Sequence, residues 1–157
     1  MKFIKQFLFL LLAGVLLFSC KKGEVYNPQK QLAVDEELIK TFIATNNIPA
    51  QRHESGLYYQ IITPGAGSVV YTTATKVTAN YTVRLLNGTV IEQSSTPIQF
   101  TLGNVITGWQ IGVPLIQKGG SIRLLVPSPY AYQNSTLGAI PANSVLDFDI
   151  TLTDVQN

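Results

Sequence analysis

Over about residues 32–45 the apolar positions recur every three to four residues, and after Pro49 they alternate with polar ones. The first period is that of a helix and the second that of a strand with one buried face. In QLAVDEELIKTFIATNN, Val34, Leu38, Phe42 and the neighbouring Ile39 and Ile43 fall at helical spacing. Asp35, Glu36 and Glu37 come early in the run, where carboxylates complement the positive end of a helix dipole. The spacing predicts a helix over about 32–45, stopped by Asn46-Asn47 and Pro49. It is expected to pack on the domain that follows, with dimerisation as an alternative use.

After Pro49, residues 56–62 predict a strand that breaks at Pro64-Gly65-Ala66-Gly67. Val77, Ala79, Tyr81, Val83 and Leu85 alternate with Lys76, Thr78, Asn80, Thr82 and Arg84, a half-buried strand. Asn87-Gly88 predicts a two-residue hairpin of type I′, which needs positive φ at both positions. Ile98, Phe100 and Leu102 suit a further strand. Trp109, Val113 and Ile116 recur at three to four, compatible with a short helix despite Gly112 and Pro114. Ile122, Leu124 and Val126 alternate again. Leu146, Phe148, Ile150 and Leu152 close the pattern facing inward, with Asp147 and Asp149 expected on a solvated outer face. The fold class this predicts is α+β: antiparallel strands around one short helix.

The start of the chain has a different character. Lys2 and Lys5 precede an apolar run from Phe7 to Phe18, followed by Ser19 and Cys20. A charged region, an apolar region and a small residue before the cut are the anatomy of an export signal. The run falls short of the roughly 20 apolar residues that span a bilayer. Leu17-Phe18-Ser19-Cys20 resembles the lipobox of bacterial lipoproteins, which implies that Cys20 is lipidated (acyl chains such as palmitate) and becomes the first mature residue. An ordinary N-terminal anchor, or a secreted protein with an incidental cysteine, is the plainer alternative. Cys20 is the single cysteine, so no intramolecular disulfide is available to explain it. The organisation expected is a signal peptide over 1–19, a flexible tether over 20–31, a helix and linker over 32–54 and one folded domain over 55–157. The protein is then held at the cell envelope by its lipid, facing the periplasm or the cell surface.

Composition removes several classes of function. Loss of residues 1–19 takes Lys2 and Lys5 with it and leaves nine basic against nine acidic residues. No basic patch argues for nucleic acid. The one histidine, His53, falls in the linker and reads as a solvated side chain. One histidine and no second thiol give neither a metal site nor a Ser-His or Cys-His machine. Gly103 and Gly108 are not followed by Lys-Ser/Thr, so no phosphate loop is present. What remains is apolar and aromatic, and composition alone would assign it to the core.

The order of these residues says more. Val77-x-Ala79-Asn80-Tyr81-Thr82, Leu86-Asn87-Gly88-Thr89, Phe100-Thr101-Leu102-Gly103, Val105-Ile106-x-Gly108-Trp109, Val126-Pro127-x-x-x-Ala131-Tyr132 and Ile140-Pro141-x-Asn143-x-x-Leu146-x-Phe148 together resemble the FKBP-type peptidyl-prolyl cis-trans isomerase domain over about 56–154. The resemblance implies a curved antiparallel half-barrel wrapped on a short helix, here with an extra N-terminal helix. It implies a proline pocket floored by Trp109, walled by Tyr81, Phe100 and Phe148, with Ile91, Val105 and Ile106 as further contacts. Tyr132 and Ile140 become the lip, the Ile106 N–H the donor to a substrate carbonyl, and Tyr81, Glu92 and Tyr132 the residues closest to catalysis. The implied partners are proline-containing unfolded or exported polypeptides, with no cofactor. Ile91 stands where the family usually has Phe, Glu92 where it has Asp, and Gln133 where it has Gly, and the Phe100-to-Val105 spacing is shorter than in many relatives. These departures leave a second reading open, a chaperone-like binding module on the same fold with little or no turnover.

Overall fold

The computed structural model describes residues 25–157. The expected export signal, Cys20 and the first residues of the expected tether, 20–24, lie outside the described residues. Helix α1 spans Pro28–Asn46. The Asn27 side chain accepts a hydrogen bond from the Lys30 N–H at 3.0 Å and Pro28 occupies the first turn, a strong start signal hidden in what reads as tether. Residues 28–31 are therefore helical. Asn47, in the left-handed region at φ 52°, ends the helix.

The early start moves Asp35–Glu37 out of the first turn, which holds no acidic residue. Asp35 has a different task. Its carboxylate is fully buried and accepts from the Ser128 N–H at 2.7 Å, the Ser128 hydroxyl at 2.6 Å and the Gln31 side-chain amide at 2.7 Å. A buried carboxylate is tolerable only with such partners.

Seven strands form one antiparallel sheet: β1 (Gln51–Arg52), β2 (Tyr58–Thr63), β3 (Lys76–Leu85), β4 (Val90–Gln93), β5 (Ile98–Thr101), β6 (Ser121–Val126) and β7 (Leu146–Gln156). Their spatial order is β1-β2-β6-β7-β3-β4, with β5 on the first half of β3 and β4 on its second half. Helix α2, Thr107–Gly112, continues into a 3-10 turn at Val113–Leu115 and fills the concave face. Leu57, Val77, Ala79, Ile122, Leu124, Val126, Leu146, Ile150 and Leu152 pack there with Trp109 and Val113. The alternation in β3, β6 and β7 is the signature of this single buried face. Gly108 and Gly112 let the helix lie against the sheet: an added Cβ would stand 2.4 Å from Val126 Cγ1 and 2.5 Å from Leu124 Cδ1, respectively.

The convex face departs from the expected solvated surface. Helix α1 covers one end of it, packing Ile39, Phe42 and Ile43 on Tyr58, Leu125 and Val145. Val34 and Leu38, read as part of the packing stripe, point away and are 52% and 50% exposed. Asp147 lies beneath this cover, only 2% exposed. It accepts two hydrogen bonds from Arg123, at 2.8 and 2.7 Å, and Arg84 stands 3.7 Å away while bonding Asp149. The Arg123 guanidinium in turn lies 5.8 Å from the centre of the Phe42 ring. The aspartates do face outward, but one is roofed by the helix and paired.

The β3–β4 hairpin forms where expected, with a different turn. Gly88 has φ 87° whereas Asn87 is not in the positive region, and the Gly88 N–H returns to the Leu85 carbonyl at 2.9 Å. This is a three-residue connection with glycine in the left-handed position rather than type I′. His53 is half-buried in a turn before β2, its Nδ1 2.9 Å from the Ser55 hydroxyl. No helix among the described residues is long and apolar enough to cross a membrane.

Candidate active site, an aromatic cavity between sheet and helix

Where α2 meets the concave face a cavity of about 340 Å³ opens. Its lining contains Tyr81, Ile91, Glu92, Phe100, Val105, Ile106, Trp109, Tyr132, Ile140 and Phe148, so the structure brings every candidate cavity residue of the sequence together. Val83 and Asn104 also line it and were missed. Val83 shares the inward phase of Tyr81 two positions on, a signal that was available. Asn104 ends a single 3-10 turn, Leu102–Asn104, and carries no periodic signal.

Each wall comes from a different element. Trp109 is presented by the first turn of α2 and is 4% exposed, so it is both core and cavity floor. Tyr81 and Phe100 rise from β3 and β5, and Phe148 from β7. Their rings meet edge to face: Tyr81 and Trp109 centroids are 5.4 Å apart, Phe100 and Trp109 5.3 Å, Tyr81 and Phe100 5.8 Å, and Trp109 and Phe148 5.8 Å. This geometry aligns ring edges with ring faces.

Two adjacent residues of β4 enter the same cavity. Val83 pairs with Glu92 but Arg84 pairs with Val90, so the register slips at Ile91. A bulge of this kind re-aims side chains and lets Ile91 and Glu92 line the site together. Despite its extra methylene, the Glu92 carboxylate accepts a hydrogen bond from the Tyr81 hydroxyl. Burial, then the Glu92 hydrogen bond and charge, push the Tyr81 phenol up to about 12, so it stays a neutral donor.

Tyr132 and Ile140 close the other side, on the segment after β6. That segment is tied down at Ser128 by Asp35, at Tyr130 by a 2.7 Å bond to the Ser55 carbonyl, and at Gln133, whose N–H returns to the Ser128 carbonyl at 2.8 Å. Gln133 is held at φ 57° and Asn143 at φ 59°, where a glycine would be at ease. Among the described residues no acceptor meets the Tyr132 hydroxyl or the Ile106 N–H, leaving two donors at the cavity for a guest. Among the same residues no three His, Cys, Asp or Glu side chains are placed to hold a metal.

The fold and cavity thus define one antiparallel sheet closed on a short helix, with an apolar, aromatic cavity between them. The family model described as FKBP-type peptidyl-prolyl cis-trans isomerase matches residues 68–153. The FKBP-type peptidyl-prolyl cis-trans isomerase FkpA of Buchnera aphidicola (subspecies Schizaphis graminum) is 42% identical over 145 residues, covering 90% of this chain and 57% of that protein. FkpA of Escherichia coli K12 is 39% identical over 105 residues, covering 65% and 38%. The chain spans about half the length of the curated relatives it matches. The crystal structure of FkpA from Escherichia coli superposes with a TM-score of 0.70 at 32% identity, over 82% of this chain and 62% of that one. A peptidyl-prolyl cis-trans isomerase from Pseudomonas syringae pv. tomato gives 0.68 at 28% identity, over 83% and 97%. The chain belongs to the FKBP-type peptidyl-prolyl cis-trans isomerase family.

Proposed function

We propose that the protein is an exported, lipid-anchored prolyl isomerase that assists the folding of envelope proteins by binding X-Pro segments in the aromatic cavity. The observation that carries this reading is the cavity itself: an apolar box with two unpaired donors at its mouth. The proline ring enters between Tyr81, Phe100 and Phe148 and rests on Trp109. Ile91, Val105 and Ile106 pack its flanks, and Tyr132 and Ile140 form the lip. The Ile106 N–H donates a hydrogen bond to the guest's carbonyl, and Glu92 holds the Tyr81 ring through its hydroxyl.

Nothing in this site needs to titrate. Resonance makes rotation about a peptide bond cost about 18–20 kcal/mol, and X-Pro bonds exchange over tens of seconds or longer. A twisted amide loses that resonance, and its carbonyl carries less negative charge than the planar form. An apolar box that binds the twisted form better than either planar one lowers the barrier without acid or base. Each tenfold gain needs about 1.4 kcal/mol, the scale of one hydrogen bond or a few packed methylenes.

Isomerisation of short X-Pro peptides and refolding of a proline-limited protein test the reading. The protein is expected to accelerate both, and Phe100→Ala, which opens one wall, to lose at least about tenfold. No acceleration by the folded wild type would sink it. One observation favours a second reading, in which the cavity holds proline-bearing clients with little turnover: Ile91 removes an aromatic wall common in the family. Ile91→Phe with Glu92→Asp separates the two, because a large gain in rate would mean that the natural cavity is tuned for holding. The envelope location rests on the sequence of residues 1–20, and Cys20→Ser is expected to release the protein from membranes.

A further inference from the structure

We infer that Gln110 is a positioning residue that aims the Ile106 N–H into the cavity. The inference rests on the isomerase reading above and deepens it. The Gln110 side-chain amide donates to the Val105 carbonyl at 2.8 Å. That carbonyl belongs to the same peptide unit as the Ile106 N–H. The chain has no cis peptide among its described residues, and a trans peptide points its C=O and N–H in opposite directions. Fixing one end therefore fixes the other.

The positions of the groups agree with this. Gln110 does not line the aromatic cavity; it lies on the far side of the segment, in a hollow with Tyr71, Leu102 and Pro114. With the Val105 carbonyl held on the Gln110 side, the trans peptide points the Ile106 N–H away from that hollow. The next carbonyl along, that of Ile106, is held as well, accepting from the Trp109 N–H at 2.9 Å and the Gln110 N–H at 3.3 Å. One residue thus grips both carbonyls that flank the free donor, one with its side chain and one with its backbone. The peptide cannot rotate to bury its N–H without breaking a bond to α2. Preorganised donors of this kind lose nothing to rearrangement when the guest's carbonyl arrives.

The test removes the side-chain donor and keeps the length. Gln110→Met retains the packing, and Gln110→Glu puts an acceptor against the Val105 carbonyl. Turnover of a short Leu-Pro peptide, thermal unfolding, and the NMR shift of the Ile106 amide on peptide addition are read on both variants and the wild type. Expected is a fall of about tenfold in kcat for each variant, with KM within about twofold, and a reduced peptide-induced shift at Ile106. If wild type turns over and both folded variants match it, Gln110 does not position the donor. If wild type does not turn over, the isomerase reading falls, and the amide decides this inference alone. A full peptide-induced Ile106 shift in Gln110→Met then overturns it, and a lost shift upholds it for binding. Should Gln110→Glu unfold, Gln110→Met carries the same decision.

Discussion

Gly108→Ala tests the close approach that puts Trp109 at the cavity floor. An alanine Cβ there would lie 2.4 Å from Val126 Cγ1, 3.0 Å from Cγ2 and 3.3 Å from Cβ. Ordinary contacts start near 3.4 Å, so about 1 Å must be found. Val126 cannot supply it cheaply, being fully buried, β-branched and stiff at χ1. Overpacking of this kind costs about 1–3 kcal/mol. Alanine returns up to about 1 kcal/mol of helix propensity. With two methyl carbons inside 3.0 Å or at it, the cost sits at the upper end, and a net loss of about 2 kcal/mol is expected. Trp109 is the only tryptophan in the chain and the next residue, so its fluorescence reports both the urea midpoint and the displacement of the floor. Val126→Ala should relieve the clash, leaving the double variant more stable than the sum of singles by about 1 kcal/mol or more. A Gly108→Ala protein with unchanged midpoint and emission would refute the reasoning, as would strict additivity with Val126→Ala.

Other outcomes follow from the same structure. Asp35→Ala should lose about 2–4 kcal/mol in denaturant titrations, because the Ser128 N–H and hydroxyl are left buried and unpaired, and turnover should fall as the Tyr132 segment loosens. The hydrogen bond from Arg52, helped by Tyr58, holds the Glu36 carboxyl down at about 2 against an ordinary 4.5. Its contribution is full above about 4.5 and is lost as the pH falls toward 2, so Glu36→Gln should flatten that part of the acid-unfolding curve. Because the Tyr81 phenol is pushed up to about 12, turnover should show no Tyr81 ionisation between about pH 6 and 10, and a Tyr81-dependent step in that window would contradict the Glu92 contact. Gln133→Gly should raise the melting temperature slightly, since relief of about 1–2 kcal/mol of left-handed strain exceeds the roughly 0.5–1 kcal/mol of added chain entropy.

Much of this site could be read before the fold was known. Trp109, Tyr81, Phe100 and Phe148 stand out because a one-faced sheet writes a clean alternation and because their order resembles a family whose cavity is built from them. The parts that escaped are set by distant pairings. Asp35 bonds Ser128 across 93 positions of chain, and nothing near either residue announces the other. Asp147 reads as solvated because the cover over it comes from α1, and which helix face turns inward depends on the sheet it meets. The slip at Ile91 is a feature of β3 and β4 together, so it has no local signature. Gln110 was passed over because a polar residue in a short amphipathic helix is ordinary until its carbonyl partner is seen.

The placement of β7 has a consequence for how the molecule comes into being. It is the last strand along the described chain, yet it sits between β6 and β3 and pairs with both. Lys76 is matched with Gln156 and Leu85 with Leu146, so the middle of the sheet joins segments separated by most of the domain. Until that strand arrives, β3 and β6 are two unjoined edges, each with one side of its ladder open. Loops this long must close before any contact rewards them, which favours slow, all-or-none assembly. A protein whose proposed work is to hasten the folding of others has a centre that cannot be completed until nearly all of its own domain is in place.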